Sequence, residues 1–252
     1  MTEPTRPTNR IPNSNQNSFH KILYTKSLDQ SGWLAIRIPE GIVAVPEYLK
    51  VSENQTKDGR IYFSILEGRY KGKIASLALE NREKCLISAK RGSGAKLIAK
   101  ILGRQQLKSV ARHGEVRNQL VAKLSFDGKI ATISLDSDVD FTETNPTSPD
   151  YNKTLHSKPL PKGTYKILTP DGAHNARFTN FYVQYQSDLK YHTVWFPIEY
   201  AGNHNSSFVH VGNLSEGCVT IYQFDMWNSV YDYLIKNRMD SNGKYVGTIT
   251  IE

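Results

Sequence analysis

A histidine and a cysteine stand eight positions apart in Phe208-Val209-His210-Val211-Gly212-Asn213-Leu214-Ser215-Glu216-Gly217-Cys218-Val219-Thr220-Ile221. A thiol beside an imidazole can pass its proton to the ring, and the thiolate–imidazolium pair that results is competent for acyl transfer. The segment reads as an apolar strand that delivers His210 to its end, a short turn holding Gly212 and Gly217, and a second apolar strand that Cys218 enters. Gly217 permits close approach of a substrate carbonyl to the thiol. Backbone N–H groups around Gly217 and Cys218 are then placed to stabilise an oxyanion. The competing reading is a buried cysteine in a strand with a hydrogen-bonded histidine nearby, since cysteine is among the most often buried residues.

The remaining candidates read less sharply. His204, in the polar turn Gly202-Asn203-His204-Asn205, is expected on a surface loop bordering the cleft. His174 and His192 are expected to be exposed. No paired His and Cys spacing suits zinc, so neither a metal nor another cofactor is expected. Gly92-Ser93-Gly94-Ala95-Lys96 lacks the spacing of a phosphate-binding loop. Cys85 reads as a buried strand residue, and the two cysteines, 133 positions apart in dissimilar contexts, are not expected to form a disulfide.

These residues must be positioned by a mainly β chain. Trp33–Ile38 and Arg60–Ile65 are rich in β-branched and aromatic residues, with Lys57-Asp58-Gly59 and Ile38-Pro39-Glu40-Gly41 as breaks. Residues 96–112 carry a basic residue every fourth position with apolar residues between, which fits a helix or a strand. Residues 120–135 read as a hairpin turning at Asp127-Gly128. A polar loop over 136–157 follows. Pro161–Ile167, Phe178–Tyr185 and Thr193–Ile198 read as strands, as does the closing segment Tyr245–Ile251. One helix is expected over Asp225–Asn237, capped by Asp225, with Met226, Trp227, Val230, Tyr231, Leu234 and Ile235 as its apolar stripe.

The order His210-x-Gly212-x-x-Ser215-x-Gly217-Cys218-Val219 resembles the active-site signature of the L,D-transpeptidase (YkuD-type) catalytic domain. The resemblance is best with its compact, short-loop members. Pro159-Leu160-Pro161-Lys162-Gly163-Thr164-Tyr165 is similar to the Pro-x-Gly-x-aromatic strand that precedes this signature in the family, and the resemblance spans about residues 118–252. It implies a sandwich- or barrel-like β domain with one packed helix. Cys218 would form a thioester with a peptidoglycan stem peptide, and His210 would be the general base, held by a backbone carbonyl. Ser215, Gly212 and Gly217 would shape the turn. Thr220 stands where larger members carry a substrate-binding Arg or Asn, and Glu216 where many carry His. The resemblance leaves open whether the acceptor is water, a diaminopimelate amine or a free D-amino acid.

Composition sets the outer bounds. The 252 residues, 38% hydrophobic and 22% charged, describe a globular chain. Met1–Asn17 is rich in Pro, Asn, Thr and Ser and lacks the apolar core of a secretory signal peptide, so residues 1–19 read as a flexible tail. A wall-directed enzyme of this kind is expected to act in the cell envelope after secretion by another route, injection or release on lysis. Between Arg82 and Lys123, eleven Lys and Arg face Glu83 and Glu115, a local charge of +9 against +8 for the whole chain. That window suits anionic wall polymers or a delivery apparatus as partners. The expected division is a basic, β-rich docking module over 20–117 and a catalytic domain over 118–252. Two rival functions share this frame, a catalytically inactive wall-binding module and a nucleic-acid binder. Aromatics do not interleave the basic residues as a stacking platform for single strands requires.

Overall fold

A computed structural model describes residues 21–110, 114–144, 146, 148–200 and 207–252; the tail at 1–19 and His204 lie outside them. The described chain is mainly β, built as two sheets with separate apolar cores. The first sheet holds β1 (Ile22–Thr25), β2 (Trp33–Ile38), β3 (Gly41–Pro46), β4 (Lys50–Lys57), β5 (Arg60–Ile65), β6 (Ile74–Ala78) and β7 (Leu86–Ile87). Its spatial order is β3-β2-β6-β5-β4-β1-β7. Period-two alternation drives it: in β5, Ile61, Phe63 and Ile65 point into the core while Tyr62 and Ser64 are half-buried. The β4–β5 hairpin turns at Asp58 (φ 51°) and Gly59 (φ 69°), the left-handed pair that a two-residue turn requires. Cys85 is buried, and it lies in a single helical turn, α1 (Arg82–Cys85), not in a strand.

The second sheet is a closed barrel. It begins with β8 (Ala95–Ser109), β9 (Glu115–Phe126) and β10 (Lys129–Asp136), with the expected hairpin turn at Asp127 and Gly128. A small hairpin, β11 (Asp140–Thr142) with β12 (Thr154–His156), interrupts the polar stretch read as loop. The barrel continues with β13 (Gly163–Leu168), β14 (Phe196–Glu199), β15 (Phe208–Val211), β16 (Val219–Ile221) and β17 (Tyr245–Ile251). Strand order around it is β10-β16-β15-β14-β13-β17-β8-β9. Closure leaves no free strand edge in this sheet.

Two expectations are corrected here, and the choice left open for residues 96–108 is decided. The boundary at 117/118 falls inside β9, whose partner β8 is also hydrogen-bonded to β17; the change of sheet lies between Ile87 and Ala95. Most of the basic window therefore belongs to the barrel and not to the first module. Residues 96–108 form a strand, since a four-residue repeat is also two β periods. Lys96 and Lys100 share its outer face, and a bulge between Ile101 and Gly103 then shifts the alternation, so that Arg104 and Lys108, opposite Leu120 and Val116, turn to the other face. Phe178–Tyr185 is not a strand but a 3₁₀ turn followed by α2 (Asn180–Val183).

The packed helix α3 (Trp227–Ile235) buries Trp227, Val230, Tyr231, Leu234 and Ile235 against the barrel. Asp225 does not cap it. A 3₁₀ turn over Phe224–Met226 precedes the helix, and no side chain bonds its first amides.

The two sheets are fastened by buried polar groups. The fully buried Glu47 carboxylate accepts from Lys26 Nζ and the Ser27 amide, both at 2.9 Å, and from the Tyr231 hydroxyl of α3 at 3.1 Å. Buried Glu67 is met by Arg91 and, at 3.6 Å, by Arg238 just beyond α3. Trp33, at the start of β2, joins the barrel core.

Candidate active site

Parallel pairing sets the geometry of the site. β15 and β16 are parallel neighbours in the register Val209↔Val219, His210↔Thr220 and Val211↔Ile221. Parallel neighbours ordinarily need a crossover of a dozen or more residues. Here residues 212–218 alone return the chain, so Cys218 comes back to the level of Phe208 at the start of β15. Val209, Val211, Val219 and Ile221 face the barrel core. Alternation then places Phe208, His210, Cys218 and Thr220 on the opposite face, with Cys218 diagonal to His210.

The imidazole is fixed on both nitrogens. Nδ1 donates to the Val211 carbonyl at 2.9 Å, which leaves Nε2 as the acceptor, and the Thr220 hydroxyl donates to it at 3.2 Å. Trp195 stacks on the ring at 4.0 Å between centroids, and His174 stacks on Trp195 at 4.2 Å. Burial holds the imidazole neutral, its pKa pushed down to about 4. Burial likewise pushes the Cys218 thiol up to about 12, against a Phe208 backbone hydrogen bond that favours the thiolate. Cys218 is 8% and His210 6% exposed. In this closed arrangement the pair is a neutral thiol and a neutral imidazole, not the preformed thiolate–imidazolium pair the sequence suggested. A neutral Nε2 is nonetheless the state in which a histidine can take a proton.

The return turn is held from several elements. Ser215 Oγ donates to the Cys218 carbonyl at 2.8 Å. The Ser215 amide donates to Ser137 Oγ at 2.7 Å, and the Ser137 amide to the Ser215 carbonyl at 2.8 Å. Ser137 Oγ in turn donates to Gln119 Oε1, while Gln119 Nε2 donates to the Asn213 carbonyl at 3.0 Å. The Tyr182 hydroxyl of α2 receives the Asn213 amide at 3.1 Å. Gly217 has φ +101°, and a methyl group added there would lie 2.3 Å from the Lys158 carbonyl. Only glycine fits both conditions. The stretch just before β13 thus lies directly against the residue preceding the thiol. Gly212 is less constrained, its nearest neighbour being the Thr220 methyl at 3.1 Å.

No family model, curated protein or solved structure matches this chain.

Thr220 cannot bind substrate as placed, because it is fully buried and its hydroxyl is committed to His210. His192 and His174 are partly buried rather than exposed: His192 Nδ1 lies 2.8 Å from the Thr179 hydroxyl, and burial lowers the pKa of both. Trp195, His174, Tyr182 and Gln119 are the site residues that sequence reading missed. None of them left a local signal; Trp195 lies opposite His210 only through the β14–β15 register, extended past Phe196↔Val209. Among the described residues, no cluster of His, Cys, Asp or Glu could hold a metal ion.

Proposed function

We propose that this chain is a cysteine acyl-transfer enzyme of the L,D-transpeptidase type, acting on peptidoglycan stem peptides. The observation that carries the reading is the shared face of His210 and Cys218, with Nδ1 anchored on a backbone carbonyl and Nε2 turned toward the outer face of β16. The contact between Gly217 and Lys158 supports it, since it brings the Pro159–Tyr165 segment and the Ser-x-Gly-Cys turn together. In the reaction, Nε2 exchanges its Thr220 hydrogen bond for the thiol proton. The sulfur attacks the donor carbonyl, a C–S bond forms, and the C–N bond breaks as His210 returns the proton to the leaving amine. Water, a diaminopimelate amine or a free D-amino acid then resolves the thioester.

The test is direct. Purified sacculi or a soluble disaccharide-tetrapeptide, incubated with the chain, should yield altered muropeptides by mass spectrometry. Cys218→Ala should abolish the change, while Cys85→Ser, at the core of the other sheet, should retain it. Turnover by Cys218→Ala at the native rate sinks the enzyme assignment. The burial of both reacting groups favours a second reading, a wall-binding module that has kept the fold without the chemistry. That reading predicts muropeptide binding with no turnover, and an iodoacetamide reaction at Cys218 that substrate does not accelerate.

A further inference from the structure

With Thr220 sequestered, recognition of a substrate carboxylate must come from somewhere else in the molecule. A cavity of about 560 Å³ lies between the two sheets, within the range of small-ligand sites. Ala44, Pro46 and Tyr70 form its wall on the first sheet; Pro170, Pro197 and Phe208 form the barrel wall. Its surface is mostly apolar, and its charged groups are Arg69, Lys244 and Asp171, which leave it net cationic. Lys244 is engaged with Glu199 at 3.2 Å. Arg69 lies over the Tyr70 ring at 5.6 Å, and among the described residues it has no ion pair.

The cavity lies beside His210 and Cys218, neither of which lines it. Phe208 lines it and sits at the level of Cys218, and His174 lines it and leads through Trp195 to His210. We propose that this cavity receives the carboxylate-bearing end of the peptide substrate, with small apolar side chains against its walls and the carboxylate on Arg69. The first sheet is then one wall of the substrate cleft, which accounts for its buried fastening to α3 by Glu47 and Glu67. A guanidinium above an aromatic ring is held in plane to meet a carboxylate with two hydrogen bonds. This inference rests on the acyl-transfer reading given above.

The experiment measures binding apart from chemistry. The full chain carrying Cys218→Ala is titrated by calorimetry with disaccharide-tetrapeptide, with its C-terminal amide and with its side-chain amide. Arg69→Ala, at an exposed position, should weaken binding of the free acid about tenfold, the loss of one charged hydrogen-bonding partner. The amidated form that has lost the recognised carboxylate should bind weakly and be indifferent to Arg69→Ala, which identifies that carboxylate. Ala44→Trp, which fills the cavity from an exposed edge strand, should block binding without lowering the melting temperature. Native affinity in both variants overturns the inference and leaves the enzyme reading intact if Cys218-dependent turnover persists. A native chain that neither binds nor converts muropeptides overturns both.

Discussion

In the proposed reaction Cys218 gives its proton to His210, and the fold keeps both groups dry. Desolvation disfavours the charged form of either group, so His210 falls to about 4 and Cys218 rises to about 12. Both directions carry a stability consequence. The folded pKa of His210 lies below its unfolded value, so the unfolded chain binds the extra proton as pH falls. Its contribution is complete above about 6.5 and is lost on acidification toward about 4. From pH 7 to pH 5 the loss should be about 2 kcal/mol. Urea unfolding of the native chain at the two pH values, compared with His210→Asn, checks this. Asn retains a donor for the Val211 carbonyl but does not titrate, so the variant should lose that part of the pH dependence. An identical dependence in both proteins would show that His210 is not held neutral by the fold. Cys218 acts at the opposite end, its contribution lost as pH rises above its unfolded value toward about 12.

Among the elements, the return turn between β15 and β16 is the most tightly specified. Its seven residues reverse the chain within the length of two short strands, and its polar groups are met by Gln119, Ser137 and Tyr182 from β9, the end of β10 and α2. The Lys158 carbonyl closes against Gly217 from the side. Gly217→Ala should therefore act on fold and site together. The positive φ alone costs on the order of 1–3 kcal/mol, and the 2.3 Å approach adds to it. A thermal melt should show the destabilisation, and activity should remain low even where the variant is fully folded, because the thiol is displaced relative to Nε2. Gly212→Ala lacks a positive φ and presses only on the Thr220 methyl at 3.1 Å, a side chain that can give way, so it should cost clearly less. Equal costs for the two glycines would mean that the turn is not held as described.

At the scale of the molecule, buried charges on the first sheet draw partners from both sides of the seam. Arg238, only 5% exposed, has its pKa lowered by that burial to about 10 while the Glu67 charge opposes the shift. Its Nη1 donates to the Ile235 and Asn237 carbonyls at 2.8 and 2.7 Å, so it also closes the end of α3. Arg238→Met would leave Glu67 with Arg91 and the Lys50 amide but strip the Ile235 and Asn237 carbonyls of their donor, and should cost about 1–3 kcal/mol. Chemical denaturation followed by the fluorescence of Trp33 and Trp227 should then show the loss. A cost below 1 kcal/mol would mean that the seam is held by apolar contact alone. The basic residues of β8 do not form one stripe: Lys96 and Lys100 lie on the outer face before the bulge at Ile101 and Gly103, and Lys108, also exposed, lies beyond it. Arg104 differs from them, because it is paired with the buried Asp136 carboxylate.

The strands were legible wherever alternation or a turn residue spoke locally. Trp33–Ile38, Arg60–Ile65, the Asp127-Gly128 hairpin and Tyr245–Ile251 all follow from side-chain period and from residues that tolerate positive φ. The proximity of His210 and Cys218 was legible for the same reason, since a short glycine-bearing turn limits how far apart they can lie. Pairing partners and burial were not legible. The sequence of residues 96–108 is compatible with either period, and only hydrogen bonding to β9 and β17 makes it a barrel strand. The roles of Trp195, His174 and Gln119 depend on strands that meet across dozens of residues, which no local pattern encodes. Burial at the site likewise comes from Trp195, Tyr182 and the Lys158 segment converging there, and that convergence keeps His210 and Cys218 neutral. The sequence by itself determined which groups could react; the tertiary structure decided their protonation, because desolvation is a property of everything packed around them.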